Sequence, residues 1–546
     1  MHILHLDPWG RVDFALPGHT VTRIELARYV TPLDMLLDGL DMPPDCIIQQ
    51  EVLGAPRFLT GLEKAPCPAI YLACDTHLNL FWQQYYTRLF DAVLTPHPSL
   101  YGALPKERAH PQVLFFPHAG LPLAWKDHAR REHTFVFCGR LAASRPLRTW
   151  MISLLRGHHG LEVINNISQS TMLDLYADTR IVPNEAICFE LNLRLLEGAS
   201  AGAAVLTPDC GPEQADVFTD GKEILIYHDG LDLLEKTAWL RKNPDKAERL
   251  GKSAWERVQQ EHLPRHRALS FFERLPGIRK ARATGAEAAA LAWLALMERT
   301  MAGDAAYPVS YLLKRGLDMP DSPEMLAGMA RLLASPGKRD SALALCHEML
   351  ARGLAADSPL GNAAYSALAL MHGEYPLAMK FFARNAEKTR QLHAPLPKSP
   401  LALCLAWAKS ERRHDRAVRP GFPYAPLKNH LPACALEFLL LGEHLADGST
   451  PESASGPAAR EKAALLAAYP AYAPYRLALL AHLAGTDGAW RNILDFGLCA
   501  LFCCRADEGL RAIAEAGDKA TRQGDSDSFA RALAASSSHA YIAAVL

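Results

Sequence analysis

Glu190, Arg194 and Glu197 fall at positions i, i+4 and i+7 of the stretch 190–208, which puts a cation and two carboxylates on one helix face. A guanidinium beside the N–H groups that open a helix suits a diphosphate, and a carboxylate one turn on can accept hydrogen bonds from sugar hydroxyls. Asn192 sits in the loop that starts this helix. The bland alternative is a solvated face with an Arg194–Glu197 pair, worth roughly a few tenths of a kcal/mol. A second candidate, Gly139-Arg140, ends the apolar run 134–138; glycine lets the backbone approach a ligand, and arginine is a planar diphosphate clamp. Asp75 and His77 follow the run 69–73, His97 follows 92–95 and His118 follows 113–116. A carboxylate or imidazole there can orient an acceptor hydroxyl or take a proton; the alternative for each histidine is a turn or capping residue. Asp75-x-His77 is also a two-donor metal spacing, but two donors do not make a metal site, and none is expected.

These residues need parallel strands to hold them. Short apolar runs at 2–6, 45–49, 69–73, 92–95 and 113–116 read as strands, with helix spacing at 20–29, 57–62 and 78–89. The charged stretch 126–133 reads as an interdomain linker. A second set of strands, 134–138, 161–165, 180–183, 204–207 and 224–227, alternates with helices at 147–156, 170–178, 231–243 and 245–261. Such α/β sheets bind ligands at the carboxyl ends of their strands. Gly211-Pro212-Glu213-Gln214, just past one strand end, reads as a ligand contact or an ordinary turn.

Beyond residue 280 Ala and Leu dominate, and helix-length stretches are joined by Pro/Gly turns, so this region is all-α. Gly337, Ala342 and Cys346 align with Gly373, Ala378 and Phe382, thirty-six residues on, a spacing resembling tetratricopeptide-type helix pairs. The segment 419–431 reads as a Pro-rich connector and 447–457 as a Ser/Gly/Pro loop. Stacked helical hairpins usually offer a face to a protein partner.

A chain of 546 residues exceeds one core, and 49% hydrophobic with 21% charged residues fits a globular protein. The net charge of −1 gives no bulk reason to bind nucleic acid. Locally, Arg130, Arg131, Arg140, Arg145 and Arg148 form a basic group. The twelve cysteines include no C-x-x-C pair and read as reduced, buried thiols. No signal peptide or membrane span is expected, and the location expected is cytoplasmic.

The order of these parts carries a resemblance. Asn192-x-Arg194-x-x-Glu197, Gly202, the strand 203–207, then 221–227, the helices to 261, and His262, Arg265 and Arg267 resemble the carboxy-terminal half of the spore-maturation (CgeB-like) branch of group 1 glycosyltransferases. The wider group separates its two glutamates by seven residues; here six separate Glu190 from Glu197, so Glu197 alone is carried over. The resemblance implies a GT-B fold, two Rossmann-like domains facing a cleft, followed by an all-α, tetratricopeptide-like domain. The boundaries are 1–127 for the acceptor domain, 128–277 for the nucleotide-sugar domain and 285–546 for the helices. It implies a metal-independent glycosyltransferase, retaining, using a UDP- or GDP-sugar and a protein or glycan acceptor, with no cofactor beyond that donor. Glu197 would bind the ribose, while Gly139, Arg140, Asn192 and Arg194 would lie by the diphosphate. Asp75, His77 and His118 would serve acceptor or catalysis. One rival is a dehydrogenase, which needs G-x-G-x-x-G after the first strand; Asp7-Pro8-Trp9-Gly10-Arg11 stands there instead. The other is an inactive scaffold of the same fold.

Overall fold

Runs rich in Val, Ile and Leu, bounded by turn residues, become the buried strands of two parallel sheets. A computed structural model describes residues 1–546 except 10, 11, 53, 55, 304–306, 336, 390–395, 422–430, 447–455, 537–541 and 543–546. Gly10, Arg11, most of the expected connector and most of the loop 447–457 therefore lie outside the described residues. The chain divides into two units, one of 1–8, 18–114 and 277–458, the other of 9–17, 115–276 and 459–546.

In the first unit the strands are β1 (His2–Leu6), β2 (Thr20–Ile24), β3 (Val30–Pro32), β4 (Cys46–Gln50), β5 (Phe58–Thr60), β6 (Ala69–Leu72), β7 (Ala92–Thr95) and β8 (Val113–Phe115). The main sheet runs β2-β1-β4-β6-β7-β8, with β1 parallel to both β2 and β4. The chain thus reverses its direction of growth beside β1, which opens a crevice at the strands' carboxyl ends. Two expected helices are strands instead. Every residue of β2 except Arg23 is β-branched, and such side chains fit a pleated surface better than a helix. Phe58–Thr60 pairs in parallel with β3, and only a short 3-10 turn, Leu62–Lys64, follows.

The second unit holds β9 (His133–Cys138), β10 (Glu162–Ile164), β11 (Thr179–Pro183), β12 (Ala204–Pro208) and β13 (Ile224–Tyr227), in the order β10-β9-β11-β12-β13 with parallel pairings. Its reversal lies between β9 and β11. The expected linker 126–133 is packed into this unit. Arg131 is buried, and its guanidinium donates to the carbonyls of Lys126, Thr179 and Ala201.

The helical stretch 285–546, expected as one domain, falls into two parts. Ala288, Leu291 and Ala295 of the helix Gly285–Met301 share the first sheet's core with Leu4, Ile47, Tyr71 and Val93. Trp490, Ile493, Leu501 and Ile513 share the second sheet's core with Phe135, Phe137, Ile181 and Leu206. Leu291, Ile493, Leu501 and Ile513 each contribute about 1.5–3 kcal/mol on leaving water, so both helical parts are integral to their units.

The thirty-six-residue spacing is structural. Ser322 and Ser358 cap the helices Pro323–Leu333 and Pro359–Met371, and Gly337 and Gly373 take φ of 78° and 77° in the turns that follow. Ala342 and Ala378 are fully buried on the second helix of each pair. Among the described residues no helix is long and apolar enough to cross a membrane.

Candidate functional site

At the second sheet's reversal, the loops after β9 and β11 supply the backbone and the helix Leu193–Ser200 supplies the side chains. Asn192 caps that helix, its Oδ1 accepting from Leu195 N–H at 3.1 Å, while its Nδ2 donates to Asn184 Oδ1 at 3.0 Å and to the Glu185 carbonyl at 2.9 Å. The carboxamide is thus engaged in fixing the loop 184–192 to the helix start. Cys188 and Phe189 in this loop take φ of 50° and 61°, a left-handed pair of non-glycine residues. Strain of that kind costs on the order of 1–3 kcal/mol per residue and persists only where packing enforces it. The Phe502 ring lies 5.8 Å from that of Phe189.

Arg194 projects from the first helical turn across the end of β9. Its guanidinium lies 4.6 Å over the Phe137 ring, with Nε donating to the Cys138 carbonyl at 3.3 Å and Nη1 reaching the Glu185 carbonyl at 3.5 Å. Tyr176 Oη also donates to the Cys138 carbonyl, at 3.0 Å. Gly139 follows at φ 155°, and a Cβ there would run into Arg194 Nη2. Glycine suits that backbone conformation, and any larger residue would have to push the Arg194 guanidinium aside. Among the described residues Arg194 has no carboxylate within ion-pair distance.

A second guanidinium lies beneath. Arg148, 3% exposed, pairs with Glu185 at 2.7 Å, donates to the Arg140 carbonyl at 3.0 Å, and lies 5.6 Å from the Phe137 ring. Burial, then the charge of Arg194, lower its pKa to about 10 against the pull of Glu185. Glu185 thus pairs with Arg148 rather than with Arg194. Glu197, 6% exposed, accepts from Gln169 Nε2 at 3.3 Å one turn further along the helix. The solvated face with an Arg194–Glu197 pair does not form, because Leu195 through Ser200 are all buried.

Gly139, Asn192, Arg194 and Glu197 are thus brought together. Arg140 is exposed at the rim. The basic group of five splits: Arg131 is buried on its own hydrogen-bond set and Arg130 is exposed, while Arg140 and Arg145 stay beside the buried Arg148. Cys210 and Gln214, past β12, close their own turn through Cys210 N–H to Gln214 Oε1 at 2.8 Å.

Asp75 and His77 belong to the first unit, after β6, at the start of the helix Thr76–Tyr86. Asp75 stands at the helix start without capping it through its side chain. His77 is buried, its ring 5.7 Å from that of His97 and nearly edge-on. Glu51, directly after β4, accepts the N–H groups of Cys74 at 2.6 Å and Asp75 at 2.8 Å, and Asn79 Nδ2 at 2.7 Å. His118, expected beside Asp75 and His77, belongs to the second unit, where its carbonyl accepts from Arg267 at 3.2 Å.

Sequence reasoning missed Glu51, Glu185 and Phe137. Glu51 and Glu185 follow strand ends closely beside a sheet reversal, which is the signal that would have found them. Phe137 looked like one more core residue.

Residues 124–273 match the protein-family model described as glycosyl transferase-like, a stretch that contains β9 to β13 with Gly139, Arg140, Asn192, Arg194 and Glu197. No curated protein matches the chain. Similar solved structures include the GtfA/B complex, at 14% identity over 45% of this chain and 59% of that one, TM-score 0.33. Others are a glycosyltransferase from Rickettsia africae, at 11% over 51% and 98%, TM-score 0.35, and the sucrose-phosphate synthase of Thermosynechococcus elongatus, at 13% over 50% and 98%, TM-score 0.36. The chain thus spans less than two thirds of the GtfA/B chain it matches.

Proposed function

We propose that the protein is a GT-B glycosyltransferase that moves a sugar from a UDP- or GDP-linked donor to a protein or glycan acceptor. The observation that carries this reading is Arg194: a guanidinium held by a ring and two carbonyls, without a carboxylate partner, at a sheet reversal inside the stretch that matches a glycosyl transferase-like family. Charge accumulates on the departing diphosphate as the glycosidic bond breaks. Arg194, the N–H groups at the start of the helix Leu193–Ser200, and Arg140 at the rim stabilise it in this proposal, and no metal is required. Glu197 takes the ribose hydroxyls. Asp75 and His77, with His118, orient the acceptor hydroxyl or take its proton. Retention of configuration follows the group 1 resemblance, as does a cytoplasmic site of action; the helical stretches suit a protein acceptor or partner.

The test is a thermal-shift screen of the purified protein against UDP-, GDP- and other nucleotide sugars, followed by a transfer and hydrolysis assay with each stabilising donor. One donor class should raise Tm and be turned over. Binding without turnover would favour the inactive scaffold, and no stabilisation by any nucleotide sugar would remove the proposal.

A further inference from the structure

Glu51 is 3% exposed, yet its carboxylate meets three donors from one short turn: the backbone N–H groups of Cys74 and Asp75 on Oε2, and Asn79 Nδ2 on Oε1. Asn79 is itself held, because its Oδ1 accepts from Trp82 Nε1 at 3.1 Å and from Arg299 Nη1 at 3.4 Å. Arg299 lies on the helix Gly285–Met301 and is 5.7 Å from the Trp82 ring. A chain of hydrogen bonds therefore runs from the helical stretch, through two side chains, to the backbone that presents Asp75 and His77.

We infer that Glu51 is the positioning residue of the Asp75–His77 turn, tying it to the end of β4 and, through Asn79, to Arg299 of the helical stretch. The inference rests on the proposed function only for what the turn does, since the tie itself is independent of any reaction. A carboxylate is required because all three partners donate. A proton on Oε2 would face the two backbone N–H groups, and one on Oε1 would remove the charge that strengthens all three bonds.

The groups around Glu51 favour that protonation near neutral pH. Burial, then the charge of Asp75, push its pKa up to about 7, against the backbone hydrogen bonds from Asp75 and Cys74. Tyr71 of β6, Tyr101 of the helix Pro98–Gly102 and Cys74 also face it, and burial keeps each of these neutral. Arg299 reaches it through Asn79. Acidification through neutrality therefore places a proton on the acceptor that holds the turn.

Hydrogen–deuterium exchange of the full chain tests this. At pH 8 the amides of 74–79 should exchange at least about tenfold faster in Glu51→Gln than in wild type, the loss expected for charge-assisted bonds to a buried carboxylate. The peptide over β12 should be unchanged. Asn79→Ala, which removes one bond of three, should show a smaller local increase and serves if Glu51→Gln does not fold. Unchanged exchange at 74–79 in the folded variants would overturn the inference. Where a donor is turned over, kcat should show an acid limb near 7 that Glu51→Gln lacks, with donor KM unaltered. Altered exchange with no turnover by any donor would remove the proposed function and leave the tie standing.

Discussion

The two units use one strand plan for opposite electrostatics. Each sheet reverses beside its first strand, β1 or β9. At the ends of β9 and β11 stand Arg148 and Arg194, with Glu185 paired to Arg148. At the ends of β1, β4 and β6 stand Asp7, Glu51 and Asp75, with His77 nearby. Burial raises the pKa of both Asp7 and Glu51. In the proposed function one crevice takes an anion and the other holds and moves protons. Topology fixes where a ligand can sit, and a few residues after each strand decide what it is.

The largest expected effect comes from breaking the neutralising pair. Arg148→Ala leaves Glu185 buried without its cation, and should cost about 3–5 kcal/mol in denaturant unfolding. The exposed pair Arg88–Glu287 of the first unit, with side chains 26% and 57% exposed, is the contrast. Its loss in Arg88→Ala should cost less than about 1 kcal/mol. Equal costs would mean that the Arg148–Glu185 pair is not buried as described.

Gly139→Ala comes next. It forces a Cβ into the Arg194 guanidinium at φ 155°, and should destabilise by about 1–3 kcal/mol while displacing Arg194. Thermal denaturation measures the first effect and nucleotide affinity the second. A variant as stable as wild type would show that the loop has room the structure denies it.

The smallest effect sharpens the contrast through pH. Burial lowers the pKa of His128 and His262 in the second unit to about 4. A depressed histidine contributes stability above its unfolded value near 6.5, and that stability is lost as pH falls toward 4. Glu51 runs the other way, because its folded pKa is raised from 4.5 to about 7. Its contribution is present below the unfolded value and lost as pH rises through 7. The Tm advantage of wild type over His128→Gln should therefore shrink from pH 7 to pH 5. The advantage over Glu51→Gln should shrink from pH 5 to pH 8. Parallel trends would erase the proposed difference between the units.

Much of this was legible in the sequence, for reasons that also explain the rest. Buried parallel strands are short apolar runs between turn residues, so 69–73, 92–95, 134–138, 204–207 and 224–227 stand out. Strand β2 was masked because hydrophobic spacing over 20–29 mimics a helix, although its β-branched residues argued otherwise. The charges of Arg194 and Glu197 were visible in their spacing. What frees Arg194 was not, because Glu185 satisfies Arg148 from thirty-seven residues away and Phe137 lies under both guanidinium groups. The division of the helical stretch was equally hidden. Helix periodicity shows that a face is buried, but not against which sheet.

Calorimetric binding of UDP and GDP to wild type, Arg194→Ala and Glu197→Ala tests the account most directly. Wild type should bind one of the two, and Arg194→Ala should weaken it about ten- to a hundredfold, with Glu197→Ala also losing affinity. Full affinity in both variants, or no binding by wild type, would contradict the assignment of this crevice to a nucleotide diphosphate.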